Sequence, residues 1–180
     1  MKKIICLVII TSVLSGCLRM KVVDQLNILK VIAFDKKEDK FEGMALYPQY
    51  TLSENQNKAG FLKAEASTAG LVLSKMNQQA GLPVEIGKLR MLVFGEDLAK
   101  AGVSEFVRTI CRDPLIGSNM QIAFVENSAE ELLKLSKKEG ALFLSDLVEQ
   151  NIKKKTCLLP TFKCFYLTTM EKEEIPLSLI

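Results

Sequence analysis

The residues whose types and spacing most clearly specify chemistry lie at the start of the chain. Leu14-Ser15-Gly16-Cys17 places small residues directly before a cysteine. Upstream, Met1-Lys2-Lys3 is a short basic start, and Ile4 to Leu14 is an almost unbroken apolar run. A basic start, an apolar core and small residues at the cut are the marks of an exported leader. Cysteine in the last position makes the site a lipobox, at which the thiol is acylated and the chain is cut between Gly16 and Cys17. The expected product carries a covalent diacylglycerol and N-acyl lipid on Cys17 and no other cofactor. A membrane span would need about 20 apolar residues, and here Arg19 and Lys21 follow too soon. Cys6 lies in the leader and would leave with it.

The rest of the chain carries little that resembles catalytic machinery. It contains no histidine, which removes the commonest general base, the commonest metal ligand and the serine-triad type of site. There is no Walker loop, no GxGxxG, no CxxC and no GxSxG. The acidic pairs Glu96-Asp97, Glu130-Glu131 and Glu173-Glu174 are sequence neighbours, so they do not face each other across a helix. The first two pairs suit helix starts, where the backbone dipole favours negative charge. Nothing marks the matched acid and nucleophile of a carboxylate-only glycosidase. The reading is non-enzymatic, with no catalytic residue and no metal site.

Taking residues 1–16 from the 180 leaves 164, one domain's worth and enough to bury a core. Lys2 and Lys3 leave with the leader, so 22 basic residues face 21 acidic ones, a net charge of +1. Such a balance argues against a nucleic-acid binder, which concentrates basic residues on one face. The one basic cluster, Lys153-Lys154-Lys155, suits a solvated loop or helix end; contact with anionic lipid is the alternative. Three thiols besides Cys17 do not make a disulfide framework, although Cys157 and Cys164 could pair in an extracytoplasmic setting.

These features need a body to position them. Residues 17–26 read as a lipidated tether and 27–180 as a single domain. Asn27 to Phe34 has the β-branched, apolar character of a buried strand, Asp35 to Lys40 reads as a charged turn, and Phe41 to Tyr50 as the returning strand of a hairpin. Pro48 belongs near that strand's end, where a missing N–H matters least. Residues 51–65 read as an exposed polar loop. Ala66, Ala69, Leu73, Met76 and Ala80 fall on one helical face, and Gly81 and Pro83 end that helix. Lys88 to Phe94 is a strand; Glu96 to Ala99 opens a short helix that Gly102 breaks. A second helix then carries Val103, Phe106, Val107, Ile110 and Cys111 on its buried stripe, and Arg112-Asp113-Pro114 stops it. There Cys111 behaves as a small apolar side chain. Met120 to Val125 is another strand. Ser128 to Glu131 reads as a capping box opening a helix with Leu132, Leu133 and Leu135. A further helix spans about Leu142 to Ile152, and Thr161 is expected to cap a last short one with Phe162, Phe165, Tyr166 and Thr169. The alternation predicts an α/β fold, a mixed sheet built from an N-terminal hairpin and strand–helix–strand crossovers, with helices packed on it.

An ordered set of segments behind the lipobox resembles one family. Asp24-Gln25-Leu26 leads into the first strand and Asp35-Lys36 ends it; Gly95-Glu96-Asp97-Leu98-Ala99 follows a Leu-rich strand. Arg112-Asp113-Pro114, Leu144-Ser145-Asp146-Leu147 and Ile175-Pro176-Leu177 to Ile180 complete the set. Together they resemble the Ger(x)C family, the C-subunit lipoproteins of spore nutrient-germinant receptors. Two positions depart from its pattern: Leu18-Arg19 stands where members carry an aromatic-acid pair, and bulky residues replace strand glycines around Val31 to Phe34. Members continue into two further domains, so the resemblance covers an N-terminal domain with the later ones absent. It implies a lipid-anchored, non-enzymatic docking, assembly or signalling subunit, held on the extracytoplasmic face of the spore inner membrane. The partners it implies are integral-membrane A and B receptor subunits. Arg112, Asp113 and Pro114 are the candidate partner contact, beside their plain role as a helix stop. The competing reading is a substrate-binding lipoprotein of a transporter, which would ordinarily need a longer, two-lobed chain.

Overall fold

The computed structural model describes residues 25–49, 58–114, 116, 120–153 and 162–165. After Gln25 and Leu26, a two-residue strand β1 (Asn27–Ile28) leads through Leu29 and Lys30 into β2 (Val31–Lys37). β3 (Lys40–Gln49) returns antiparallel, with Val31 opposite Leu46 and Lys37 opposite Lys40. The hairpin is as the alternation predicts, but its turn is shorter. Asp35, Lys36 and Lys37 belong to β2, and only Glu38 and Asp39 turn, Glu38 at φ 46°. Pro48 lies past the last β2 partner of β3, so its missing N–H leaves that ladder intact.

The expected loop over 51–65 is overturned for its second half. Residues 51–57 lie outside the described ones, but Lys58–Ala66 form β4, antiparallel to β3 along its length. The polarity of the preceding residues obscured an alternation in which Leu62, Ala64 and Ala66 face the core. Ala66 is therefore a strand residue, and α1 runs Ala69–Gln79 with Thr68 Oγ1 accepting from Leu71 N at 3.3 Å. Its buried face is Ala69, Val72 and Met76, with Leu73 and Ala80 partly buried beside them. Gly43 of β3 admits this helix: a β-carbon there would lie 2.2 Å from Val72 Cγ1.

A short strand the sequence did not reveal, β5 (Val84–Glu85), pairs parallel with β1. β6 is shorter than expected, Met91–Phe94, and lies parallel to β2. α2 (Glu96–Ala101) ends at Gly102, φ 104°, and α3 (Ser104–Cys111) follows. β7 (Gln121–Val125) is parallel to β6, and α4 (Ala129–Glu139) and α5 (Phe143–Lys153) come next. The helix expected after Thr161 is instead β8 (Phe162–Phe165), antiparallel to β7. β-branching and aromatics near 162 fit a strand as well as a helix face, and the free edge of β7 decides between them.

The sheet order is β4-β3-β2-β6-β7-β8, a mixed sheet with helices on both faces, as the α/β reading requires. α1, α2 and α3 cover one face through Val72, Met76, Leu98, Phe106 and Ile110, packed on Ile32, Phe34, Leu92 and Phe94. α4 and α5 cover the other through Leu133, Leu144 and Val148, packed on Val31, Ala33, Met44, Met91 and Val93. Cys111 sits half-buried beside the first core, and burial pushes its thiol pKa up, away from reactivity. Phe106 knits that core together, with ring centroids 4.9 Å from Phe34, 4.8 Å from Phe41 and 6.1 Å from Phe94. Phe106→Ala is expected to lower unfolding free energy by about 3–5 kcal/mol in denaturant titration, because no neighbouring ring can refill the void. A loss under about 1 kcal/mol would mean the cluster is not packed as described.

Candidate functional site

The parallel strands β2, β6 and β7 end at one edge of the sheet, and their exits meet on a single carboxylate. Asp35, next-to-last but one in β2, is 8% exposed. Its Oδ1 accepts from Ala129 N at 2.9 Å; its Oδ2 accepts from Glu130 N at 3.0 Å and from Ser128 Oγ at 2.8 Å. Ser128 Oγ also accepts from Glu130 N at 3.1 Å. Ser128 is thus the N-cap the sequence indicates, but the box is not closed within the helix. Its companion acceptor is Asp35, 93 to 95 residues earlier, while Glu131 is exposed. A buried carboxylate needs donors, and the first turn of a helix presents free amides and positive dipole charge.

Gly95, at the exit of β6, makes room for that contact. A β-carbon there would lie 1.9 Å from Asp35 Oδ1 and 3.2 Å from the Asn127 carbonyl. The three exits are cross-linked further: Gly95 N donates to Phe34 O at 3.0 Å, Glu96 N to Asn127 O at 3.1 Å, and Asn127 N to Glu96 Oε2 at 3.2 Å. Asn127 adopts positive φ, 67°, which asparagine tolerates better than most residues.

A charge network extends from this junction towards β4. Glu42 of β3 is fully buried, and its Oε1 meets Lys37 Nζ at 2.6 Å and Lys63 Nζ at 2.8 Å. Glu42 Oε2 is buried with no partner among the described residues, so the charge depends on those two lysines. Lys63 Nζ also reaches Glu130 Oε1 at 2.5 Å, and Lys134 joins the same oxygen at 2.9 Å. Hydrogen bonds from Lys63 and then Lys134 pull the Glu130 pKa down to about 2. Burial opposes the charge on Lys63, but its bonds to Glu130 and Glu42 outweigh it and raise the pKa. Neither Glu42 nor Lys63 is marked by a local signal, since the one lies mid-strand and the other in a stretch that reads as loop.

Chemically, these carboxylates are held by amides, a hydroxyl and ammonium groups of the chain itself, so the arrangement fastens elements together. Among the described residues no cluster of three cysteine, aspartate or glutamate side chains is placed to hold a metal ion. Arg112 caps α3, its N–H donating to Arg108 O at 3.2 Å, and Asp113 N donates to Ile110 O at 3.2 Å. Arg112 and Pro114 are exposed and Asp113 half-buried. They stand on the connection into the amino end of β7, apart from Asp35, Gly95 and Ser128 at the carboxyl ends. Asp146, from another segment singled out in the sequence, binds Arg90 Nη1 at 2.8 Å, and Ser145 Oγ donates to Leu142 O at 2.8 Å. Gly16, Cys17, most of the tether and Cys157 lie outside the described residues.

Residues 19–178 match the family described as the spore germination protein N-terminal domain. The chain belongs to this family. It is also 31% identical over 160 residues to the Bacillus cereus spore germination protein GerQC, covering 87% of this chain and 44% of that protein. The chain therefore spans less than half the length of this curated relative. No solved structure matches it. Two of the segments that carried the resemblance, Asp35-Lys36 and Gly95 to Ala99, have first residues that meet at the strand exits. In this spore germination domain they act as fasteners of the fold.

Two outcomes test the junction. Asp35→Ala should destabilise the domain by about 2 kcal/mol, and Gly95→Ala by about 1–3 kcal/mol. Because the added methyl clashes with the Asp35 carboxylate, the double variant should cost clearly less than the two summed; strict additivity in a double-mutant cycle would refute the contact. Glu130, whose folded pKa lies below its ordinary value of 4.5, contributes stability that is full above that value and fades as pH falls towards about 2. Unfolding midpoints should drop over that window, and Glu130→Gln should flatten the drop.

Proposed function

We propose that this chain is a lipid-anchored, non-enzymatic subunit of a nutrient-germinant receptor, acting in docking, assembly or signalling during spore germination. Membership of the spore germination family supports the process. The observation that carries the anchoring is positional: the family match begins at residue 19, two residues after the cysteine of Leu14-Ser15-Gly16-Cys17. A conserved-type domain starting directly behind an acylation site is the layout of a tethered module. No helix among the described residues is long and apolar enough to cross a membrane, and a lipid on Cys17 would supply the attachment instead.

Several acyl chains on one residue give stable anchoring where one gives marginal binding. Tethering also raises the local concentration of the domain near membrane-embedded partners. Those partners, in this reading, are integral-membrane A and B receptor subunits, and the location is the outer side of the spore inner membrane. The domain's role is then to present a rigid surface, which the fastened strand exits provide.

The wild-type chain should incorporate labelled palmitate, sediment with membranes and co-purify with polytopic receptor subunits from spores. Cys17→Ala should lose the label and, in high salt, the sedimentation with it. Sedimentation of an unlabelled wild-type chain with its leader uncut would sink the proposal.

A further inference from the structure

The first described residues and the loop after α1 form one rim of the domain. Asn27 N donates to Pro83 O at 2.9 Å, Asn27 Nδ2 to Leu82 O at 3.2 Å, and Leu29 N to Glu85 O at 2.9 Å. Next to them, the amides of Arg90 and Met91 both donate to the Lys30 carbonyl, at 2.9 and 3.2 Å. This rim lies at the amino ends of β2 and β6, across the sheet from the Asp35 junction. It presents Leu82, 40% exposed, with exposed Pro83 and Lys88, half-buried Lys30, and Arg90.

The rim's charge is unevenly satisfied. Asp146 and Glu149 both bind Arg90, at 2.8 Å each, and Glu85 is itself engaged. Among the described residues neither Lys30 nor Lys88 has an ion pair; burial, then the charges of Arg90 and Lys88, lower the Lys30 pKa. Leu82 offers an apolar contact beside the positive charges of Lys30 and Lys88, and a surface with negative charge over an apolar layer complements both. The tether decides which surface that is. Ten residue steps separate Cys17 from Asn27, so the rim's first strand starts within about 35 Å of a lipidated cysteine. Arg19 and Lys21 lie along that path.

We propose that the rim formed by Leu82, Pro83, Lys30 and Lys88 is the face that rests on anionic lipid headgroups, leaving the Asp35 edge turned away from the bilayer. The proposal rests on the lipid-anchor reading above, and its test separates the two. The full lipidated chain is placed at low density on vesicles of phosphatidylglycerol and phosphatidylcholine, or of phosphatidylcholine alone, and its lysines are labelled with an amine reagent. Lys30 and Lys88 should be protected on the anionic vesicles relative to detergent solution, while Lys100 and Lys134 label equally in both. Protection should weaken in high salt, and Lys88→Gln should loosen surface contact by roughly fivefold. Equal labelling of Lys30 and Lys88 on vesicles and in detergent, with lipid present on Cys17 by mass, overturns the inference, as does equal protection on uncharged vesicles. If Cys17 carries no lipid, the anchor reading fails by itself, and sedimentation of the unlipidated chain decides the rim. Salt-sensitive binding to anionic vesicles supports it; no binding overturns it.

Discussion

A carboxylate placed where a strand leaves the sheet and a helix begins imposes the main constraint on this domain. Asp35 is buried, and an ionised carboxylate away from water is tolerated only with strong donors around it. The start of α4 has the complementary need, since its first amides have no partner within the helix. Each group answers the other through two amide bonds and the Ser128 hydroxyl. Because the partners are nearly a hundred residues apart, the contact can form only once β2, β6 and β7 are aligned. It thereby joins the N-terminal hairpin to the last helical layer, and Gly95 is the residue that must stay small for it to exist.

The lysine–glutamate chain behind the junction extends the same attachment laterally. Lys37, Glu42, Lys63, Glu130 and Lys134 alternate in sign across β2, β3, β4 and α4. Exposed pairs contribute little individually, but Glu42 is fully buried, and removing its lysines would strand a charge in the core. α4 is thus positioned by directional bonds at its first turn and by apolar packing of Leu133 further along. This explains why the edge strand β4, with few large apolar residues, is held in the sheet.

The two ends of the parallel strands differ in kind. The carboxyl ends are closed by mutual hydrogen bonds, whereas the amino ends hold β1, an exposed leucine and two lysines with no ion pair among the described residues. Asp35 and Gly95, which open two of the segments behind the family resemblance, are residues that build the scaffold. Arg112 to Pro114 stop a helix at the other end. Docking surfaces on such a domain are a matter of shape and charge, and short motifs do not record them.

The sequence by itself determined the absence of histidine, the fold class and most helices, because composition, hydrophobic period and capping residues are local properties. Gly102 and Ser128 mark helix ends through contacts within a few residues, so they could be read in order. The tertiary structure alone decided that β4 is a strand, that β5 exists, and that Phe162–Phe165 pairs with β7. A short segment with mixed polarity adopts whichever conformation a neighbouring edge can satisfy, and that edge is distant in the chain. The same holds for Asp35 and Glu42: the first read as part of a charged turn, and nothing local marked the second. Only the meeting of strand exits, a helix start and three lysines turns them into the buried fasteners of the fold.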